Sequence, residues 1–398
     1  MKKILIVSHA LEIGGAERSL IGLLDAIDKK EYQVDLFLLR HEGELFSFIP
    51  EDIHLLPEIP SYTVLARPMV RTLKEGHVVL TAARMYGKIK ASKYIKRHGH
   101  TDSGVPLEYS HKYTYRFMPD IQPNEEYDLA ISFLTPHYIV AHKVHAKKKI
   151  AWIHTDYSKI QINEKSELEM WSAYDRIISI SDDVTKTFLK IFPTLSAKIV
   201  KIENIIPEKL IVHQSKEFVP IEEMSDDSIK ILSIGRYCTA KNFDNVPKIC
   251  KYLVSRGMNV KWYLIGFGSD EKLIKEKIKK EHMEKNVIML GKKSNPYPYI
   301  CRCDLYVQPS RYEGKCVSVK EAQMLGKPVV ITNYATAKSQ LEDGVDGIIV
   351  SMDNEKCAEQ IEQVLKDDEK MKRISQKCME KDYSNATEIE KIYIMCTY

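Results

Sequence analysis

Short apolar runs, each closed by a polar or small residue and followed by a stretch of helical spacing, recur along the whole chain. The first, Lys3–Ser8, ends in a polar loop, and Gly14–Gly15–Ala16–Glu17 then opens a helix through Leu20, Leu23 and Leu24. Val34–Leu39, Asp128–Phe133, Lys149–Ile153, Ile177–Ser181 and Ile199–Ile202 continue the series, and Ser181 stands where it can cap a helix beginning at Asp182–Asp183. Apolar runs alternating with helices predict a parallel sheet covered on both faces. Between Pro207 and Asp227 the pattern decays into Gln214, Lys216, Glu217, Glu222, Glu223, Asp226 and Asp227, which predicts a linker. Ile229–Ile234 restarts the rhythm, and Trp262–Ile265, Val287–Leu290, Leu305–Gln308, Val329–Ile331 and Gly347–Val350 follow. From Glu355 the spacing is helical, with Cys357, Ile361, Val364 and Leu365 on one side.

The chain therefore reads as two consecutive α/β domains, expected at 1–205 and 206–375. Ile389 and Ile392 help a closing helix in 376–398 to pack. A length of 398 residues is too great for one comfortable core, which agrees with this division.

Composition narrows the class. With 44% hydrophobic and 29% charged residues the chain is that of an ordinary globular protein. No apolar run approaches the ~18 residues of a membrane-spanning helix. Met1–Lys2–Lys3 is basic, but Ile4–Val7 is too short for a secretory leader and reads as a strand. All eight cysteines lie from Cys238 onward, and Cys301 and Cys303 lack the spacing of a zinc site. They are expected to be structural, reduced thiols of a cytoplasmic chain, with no metal.

The net charge of +4 is modest but unevenly placed. Ser61–Tyr115 holds ten Lys/Arg against three Asp/Glu, in a stretch expected to be helical as far as Met118. Within it Tyr86–Arg97 can form a basic amphipathic helix, suited to an anionic membrane surface or an anionic acceptor, or simply to solvent. No nucleic-acid-binding motif accompanies the charge.

The candidate chemistry sits at loops that follow strands, where open α/β sheets bind ligands. After Ile231–Ile234 come Gly235, Arg236, Lys241 and Asn242; the fork of Arg236 and the point charge of Lys241 suit a diphosphate. Gly266–Phe267–Gly268 follows the next strand. After Leu305–Gln308 the loop Pro309–Ser310–Arg311–Tyr312–Glu313–Gly314 leads into a helix holding Glu321, and Gly326–Lys327–Pro328–Val329–Val330 closes the unit. Glu313 and Glu321 would repel phosphate, and are better placed to accept hydrogen bonds from sugar or ribose hydroxyls. In the first half, Gly14–Gly15 allows close backbone approach at a helix N-terminus without forming the dinucleotide fingerprint. His154 follows Lys149–Ile153 directly, a position that faces a ligand or caps the strand.

As a set, Gly14–Gly15–Ala16–Glu17, Gly235–Arg236 with Lys241–Asn242, and Pro309–Ser310 through Glu313–Gly314 to Glu321–Ala322 and Gly326–Lys327–Pro328–Val329–Val330 resemble the retaining GT-B glycosyltransferases that use nucleotide sugars. The likeness covers most of the C-terminal half and the first twenty residues. Ala151–Tyr157 and Asn333–Gln340 look like bacterial members that build capsule or exopolysaccharide.

The resemblance implies two Rossmann-like domains facing each other across a cleft. The first would bind the acceptor and the second the donor, with 376–398 packing back toward the first. It also implies roles. Arg236 and Lys241 would hold the donor diphosphate, Glu313 the sugar, and Glu321 the ribose. His154 would orient the sugar near its anomeric centre, while Gly14 and Gly15 face phosphates and acceptor. Gly235, Gly266, Gly314, Lys315, Cys316 and Val317 would complete the contact with the donor. Lys315–Cys316–Val317–Ser318 departs from the family, where a bulkier aromatic and a glycine are common, and Tyr312 stands where phenylalanine is common; both changes bear on which sugar is taken.

The reaction implied is front-face transfer of a hexose or N-acetylhexosamine with retention. No cofactor is expected beyond the donor itself, taken to be UDP-linked, and no metal, since the chain contains no Asp-X-Asp. The acceptor would be a saccharide or a lipid-linked oligosaccharide, and nucleic acid is not a partner. Two alternatives stand beside it: a nucleotide-sugar epimerase or phosphorylase of the same fold, and a non-catalytic partner subunit that binds glycan or a true transferase.

Overall fold

The computed structural model describes all residues except Ile13, Asp102, Lys159, Lys315 and Tyr398. The chain divides into two compact units, Met1–Pro207 with Ser384–Tyr398, and Glu208–Tyr383. The segment 376–398 is thus shared: its first residues stay with the second unit and only Ser384–Tyr398 joins the first.

The first unit is built on a seven-stranded parallel sheet: β1 (Lys2–Ser8), β2 (Tyr32–Leu38), β3 (His54–Leu55), β4 (Tyr127–Ser132), β5 (Ala146–Ile153), β6 (Arg176–Ser179) and β7 (Ile199–Lys201). Their order is β3-β2-β1-β4-β5-β6-β7, with Ile4 opposite both Val34 and Leu129. Strands buried on both faces need apolar residues at every position, and Ile4–Val7 are almost wholly inaccessible. The edge strand β3 escapes the sequence pattern because it is two residues long. Ser181 caps the Asp182–Ile191 helix through the Val184 N–H, as expected. The closing helix Ile389–Thr397 buries Ile389 and Ile392, and Tyr393 stacks on Tyr32 with ring centroids 4.4 Å apart.

The basic stretch is helical, as Met69–Lys74, Val78–His98 and Val105–Thr114. The Val78–His98 helix is not amphipathic in the expected sense. Its buried stripe is narrow and small (Leu80, Ala83, Gly87, Ala91), and a Cβ at Gly87 would lie 2.8 Å from the Tyr109 carbonyl oxygen of the neighbouring helix. Apolar and basic side chains share the exposed side.

The second unit has a six-stranded parallel sheet: β8 (Ile229–Ile234), β9 (Val260–Ile265), β10 (Val287–Gly291), β11 (Leu305–Gln308), β12 (Val329–Thr332) and β13 (Ile348–Val350). The order β10-β9-β8-β11-β12-β13 is that of a dinucleotide-binding half-pair, and the strand order reverses between β8 and β11. Trp262 is fully buried, yet its Nε1–H donates to Ser233 Oγ at 2.8 Å, so the indole carries no unpaired donor into the core. The expected linker is in part a helix, Glu208–Gln214, that buries Leu210 and Ile211 among polar neighbours.

Candidate functional site

The loops that follow β8 and β11, on either side of the reversal point, are tied to each other. Asn242 adopts a left-handed conformation (φ 60°) and its Nδ2 donates to the Pro309 carbonyl at 2.8 Å. The Arg311 backbone N–H donates to the Ala240 carbonyl, and its guanidinium makes two 2.8 Å bonds to the Asp244 carboxylate. Gly266, after β9, packs against the same place: a Cβ there would lie 1.9 Å from the Gly235 carbonyl oxygen. Only glycine permits that approach.

Within this frame Lys241 Nζ donates to Glu313 Oε1 at 2.6 Å and to Cys316 Sγ at 3.5 Å. Its aliphatic stem lies over Gly235, where a Cβ would come within 3.0 Å of the Lys241 Cε. Burial pulls the Lys241 ammonium down, but Cys316 and Glu313 outweigh it and hold the lysine above its usual value. The Cys316 thiol is pushed up by burial, against the pull of Lys241, and stays protonated near neutral pH. Ser310 Oγ donates to the same Glu313 oxygen at 2.6 Å, and Thr336 Oγ1 donates to the Glu313 carbonyl at 2.7 Å. The acid is thus fixed from both ends.

Glu321 lies one helix further on, in Val317–Met324, with 6% of its surface exposed. The Tyr297 hydroxyl donates to its Oε1 at 2.8 Å. Cys316 is the N-cap of that helix, and its own N–H is taken by Gln340 Oε1. Val317 and Ser318 stand in the first turn, where amides have no intrahelical acceptor. Val317 and Gly314 are exposed, and Lys315 lies outside the described residues.

The structure therefore brings Gly235, Lys241, Gly266, Glu313 and Cys316 together. Arg236 is exposed and has no hydrogen-bond or ion-pair partner among the described residues. An unpaired guanidinium beside a glycine turn remains available to an anion.

His154, Gly14 and Gly15 belong to the first unit. Gly14 caps the Gly15–Ala26 helix with an extended backbone, and a Cβ on it would meet the Glu17 carboxylate at 2.0 Å. His154 follows β5, and its Nε2 is buried without a hydrogen-bond partner among the described residues. Burial, opposed by a bond to the Phe133 backbone, pushes the imidazole down to about 4, so it is neutral at pH 7.

A cavity of about 110 Å³ lies beside His154, lined among others by Glu108, His111, His137 and Glu167. Burial drives His111 and His137 down to about 3 and Glu167 up to about 7. These four residues were not singled out in the sequence. They come from two helices and a loop, so no local spacing marks them. Their one signal was charged or ionisable residues at positions of a helical stretch that proved to be buried.

Among the described residues no group of three or more His, Cys, Asp or Glu is arranged to hold a metal ion.

Two parallel sheets in separate units, the second with its switch-point loops carrying Lys241, Glu313 and Glu321, define the GT-B class. The model of the glycosyl transferases group 1 family matches residues 214–380. It is 29% identical over 168 residues to a poly(glycerol-phosphate) alpha-glucosyltransferase of Bacillus subtilis, covering 41% of this chain and 25% of that protein. It is 28% identical over 166 residues to the capsular polysaccharide biosynthesis glycosyltransferase CapM of Staphylococcus aureus, covering 40% and 43%. The chain thus spans well under two thirds of the length of these relatives. Among solved structures it resembles Anabaena HepE in complex with UDP and glucose, with a TM-score of 0.59, 16% identity and full coverage of both chains. A mutant of Staphylococcus aureus TarM, in complex with Fondaparinux, alpha-GlcNAc-glycerol and UDP, superposes with a TM-score of 0.63 at 15% identity, again over both whole chains. At such identities the likeness is one of fold.

Proposed function

We propose that the chain is a retaining glycosyltransferase that moves a hexose or N-acetylhexosamine from a UDP-sugar to a saccharide or lipid-linked saccharide of a bacterial surface polysaccharide. The observation that carries this reading is the Lys241–Glu313–Ser310 cluster at the strand-order reversal, with the exposed Arg236 on one side and Glu321 held by Tyr297 on the other. A site with two cations and two fixed carboxylates matches a diphosphate flanked by two sets of hydroxyls.

Lys241 carries three N–H donors; Glu313 takes one and Cys316 another, so the third can turn to a phosphate oxygen. Arg236 would add a planar fork. Glu313, held by Ser310 and Thr336, would accept from the sugar, and Glu321 from the ribose diol. The amides of Val317 and Ser318 would face the phosphates, as would Gly235 and Gly314. In the reaction the bond from the anomeric carbon to the diphosphate oxygen breaks while the acceptor oxygen bonds to the same face. The acceptor proton passes to an oxygen of the departing phosphate, and Arg236 and Lys241 offset its charge without a metal. A neutral His154 would orient the sugar by hydrogen bonding, as it holds no proton to give as an acid at pH 7. Gly14 and Gly15 are assigned to the acceptor side on the family resemblance.

UDP is preferred as the nucleotide because HepE and TarM are described with UDP. A lipid-linked acceptor is preferred because the helical stretch from Ser61 is strongly basic. The cytoplasm, at the inner face of the membrane, is the proposed place of work. Eight free cysteines are in keeping with it, and no helix among the described residues is long and apolar enough to cross a membrane.

The test is slow transfer to water in EDTA, without acceptor, from a panel of UDP-hexoses and UDP-N-acetylhexosamines. Proton NMR should show the free sugar appearing first in the anomeric configuration of the donor. First appearance of the opposite anomer contradicts retention. A C4-epimerised donor would favour an epimerase, and release from no donor would favour a non-catalytic subunit.

A further inference from the structure

The Val78–His98 helix bears six Lys/Arg and no Asp/Glu. With its buried stripe turned toward the Val105–Thr114 helix, the opposite side is exposed, and of its large side chains Tyr86 alone also lies edge-on to a ring of that helix, Tyr113, with centroids 5.0 Å apart. At about 100° per residue, Val78, Val79, Met85, Tyr86, Ile89, Lys90, Lys93, Lys96 and Arg97 all project within an arc of about 140° on that side. The five apolar ones are among the most exposed large hydrophobic residues of the chain, Val78 and Val79 at 58%. Val70 and Leu73, on the short helix packed against its start, are exposed as well, at 69% and 51%. The sole acid between Met69 and His98, Glu75, is already paired with Arg67 and Arg71 at 2.8 and 2.9 Å.

Apolar and basic residues are therefore sorted along this face, not around the helix. The apolar part from Val78 to Ile89 is about 16 Å long, and the basic part follows over about 10 Å. Tyr86 stands at the junction, with Lys90 Nζ 5.4 Å from its ring centroid. Proteins rarely leave so contiguous an apolar surface in water unless something covers it. The adjoining lysines state the chemistry of the cover: an apolar layer bordered by dense negative charge. An anionic bilayer has that profile, with acyl chains below a sheet of phosphates.

We propose that this face docks the protein on an anionic lipid surface. Val78, Val79, Met85, Tyr86 and Ile89 enter the boundary between headgroups and acyl chains, and Lys90, Lys93, Lys96 and Arg97 lie against lipid phosphates. The helix then rests tilted, its N-terminal end deeper. This docking is independent of the donor chemistry, so the two can fail separately.

The experiment is flotation of the full chain, without nucleotide, on vesicles of phosphatidylcholine alone or mixed with phosphatidylglycerol. The wild type should float only with the anionic vesicles. The triple variant Lys90→Glu, Lys93→Glu, Lys96→Glu should lose at least about tenfold in binding. The triple variant Val79→Ser, Met85→Gln, Ile89→Ser should bind at low salt but come off as salt screens the headgroups. A Tyr86→Trp variant should shift its emission to the blue on adding anionic vesicles and not on adding neutral ones. All these positions are exposed, so the variants should fold, which circular dichroism melts matching those of the wild type check. Equal binding to both vesicle types, no binding to either, or full binding by the lysine variant overturns the proposal. So does a wild-type dimer that the three apolar substitutions dissociate, since the face would then join two copies of this chain.

Discussion

Replacing Lys241 by methionine should lower turnover roughly 10²- to 10³-fold, the scale on which one preorganised donor to developing charge acts. The lysine is aimed and desolvated before any donor arrives, with 18% of its side chain exposed and its stem laid over Gly235. In the proposed reaction a charge grows on the departing diphosphate, and a positioned ammonium stabilises it without reorganisation. Loss of the lysine also strips Glu313 of its cation. A largely buried carboxylate left with only Ser310 destabilises the fold, by up to ~3–5 kcal/mol if fully desolvated. Lys241→Met combined with Glu313→Gln separates the two effects. The double variant should regain the thermal stability of the wild type but not its turnover. Steady-state kinetics with denaturation curves on the same preparations check this, and a turnover within about threefold of wild type in the single variant would remove Lys241 from the chemistry.

The second large effect is acid lability of the first unit. His111 and His137 titrate near 3 in the fold and His154 near 4, against about 6.5 unfolded. Such depressed histidines stabilise the fold fully above about pH 6.5 and cost stability as pH falls toward 4 to 3, because only the unfolded chain takes up their protons. Glu167 acts oppositely: raised to about 7 from 4.5, it favours the fold as pH falls through that window. Three histidines outweigh the carboxyls that oppose them, Glu167 and Glu108, which burial also raises, so unfolding takes up protons below about pH 6.5 and stability falls as pH drops through that window. The melting temperature should therefore drop by several degrees between pH 7 and pH 5.5. Glu167→Gln should steepen the dependence by removing a group that takes up its proton in the fold. Circular dichroism melts across this range check both, and a flat profile would mean that these histidines are solvated in solution.

Both sheets were legible in the sequence for one reason. A strand covered on both faces is an unbroken apolar run ended by a polar loop, and Ile229–Ile234 or Leu305–Gln308 could be little else. What failed to show were elements whose residues serve two environments. The Glu208–Gln214 helix hides Leu210 and Ile211 in a polar stretch, and β3 is two residues at an edge. The Val78–His98 helix looked amphipathic by content, but its buried side uses Ala83, Gly87 and Ala91, which carry no hydrophobic signal.

At the site, the resemblance pointed to Lys241, Glu313 and Glu321. It could not supply the ties that hold them: Asn242 to Pro309, Arg311 to Asp244, Tyr297 to Glu321. These join residues far apart in sequence through ordinary polar types, so nothing local announces them. The cluster of His111, His137 and Glu167 was hidden in the same way.

The most direct test of the donor site is calorimetric titration of the full chain with UDP, UMP, GDP and ADP in EDTA. One nucleoside diphosphate, expected to be UDP, should bind with a single site and clearly more tightly than its monophosphate. Glu321→Gln should weaken it by about ten- to a hundredfold, the worth of one or two charge-assisted hydrogen bonds to the ribose. Arg236→Ala should weaken the diphosphate more than the monophosphate. Absence of binding across the panel, or binding indifferent to both substitutions, would contradict a nucleotide-sugar site in the second unit.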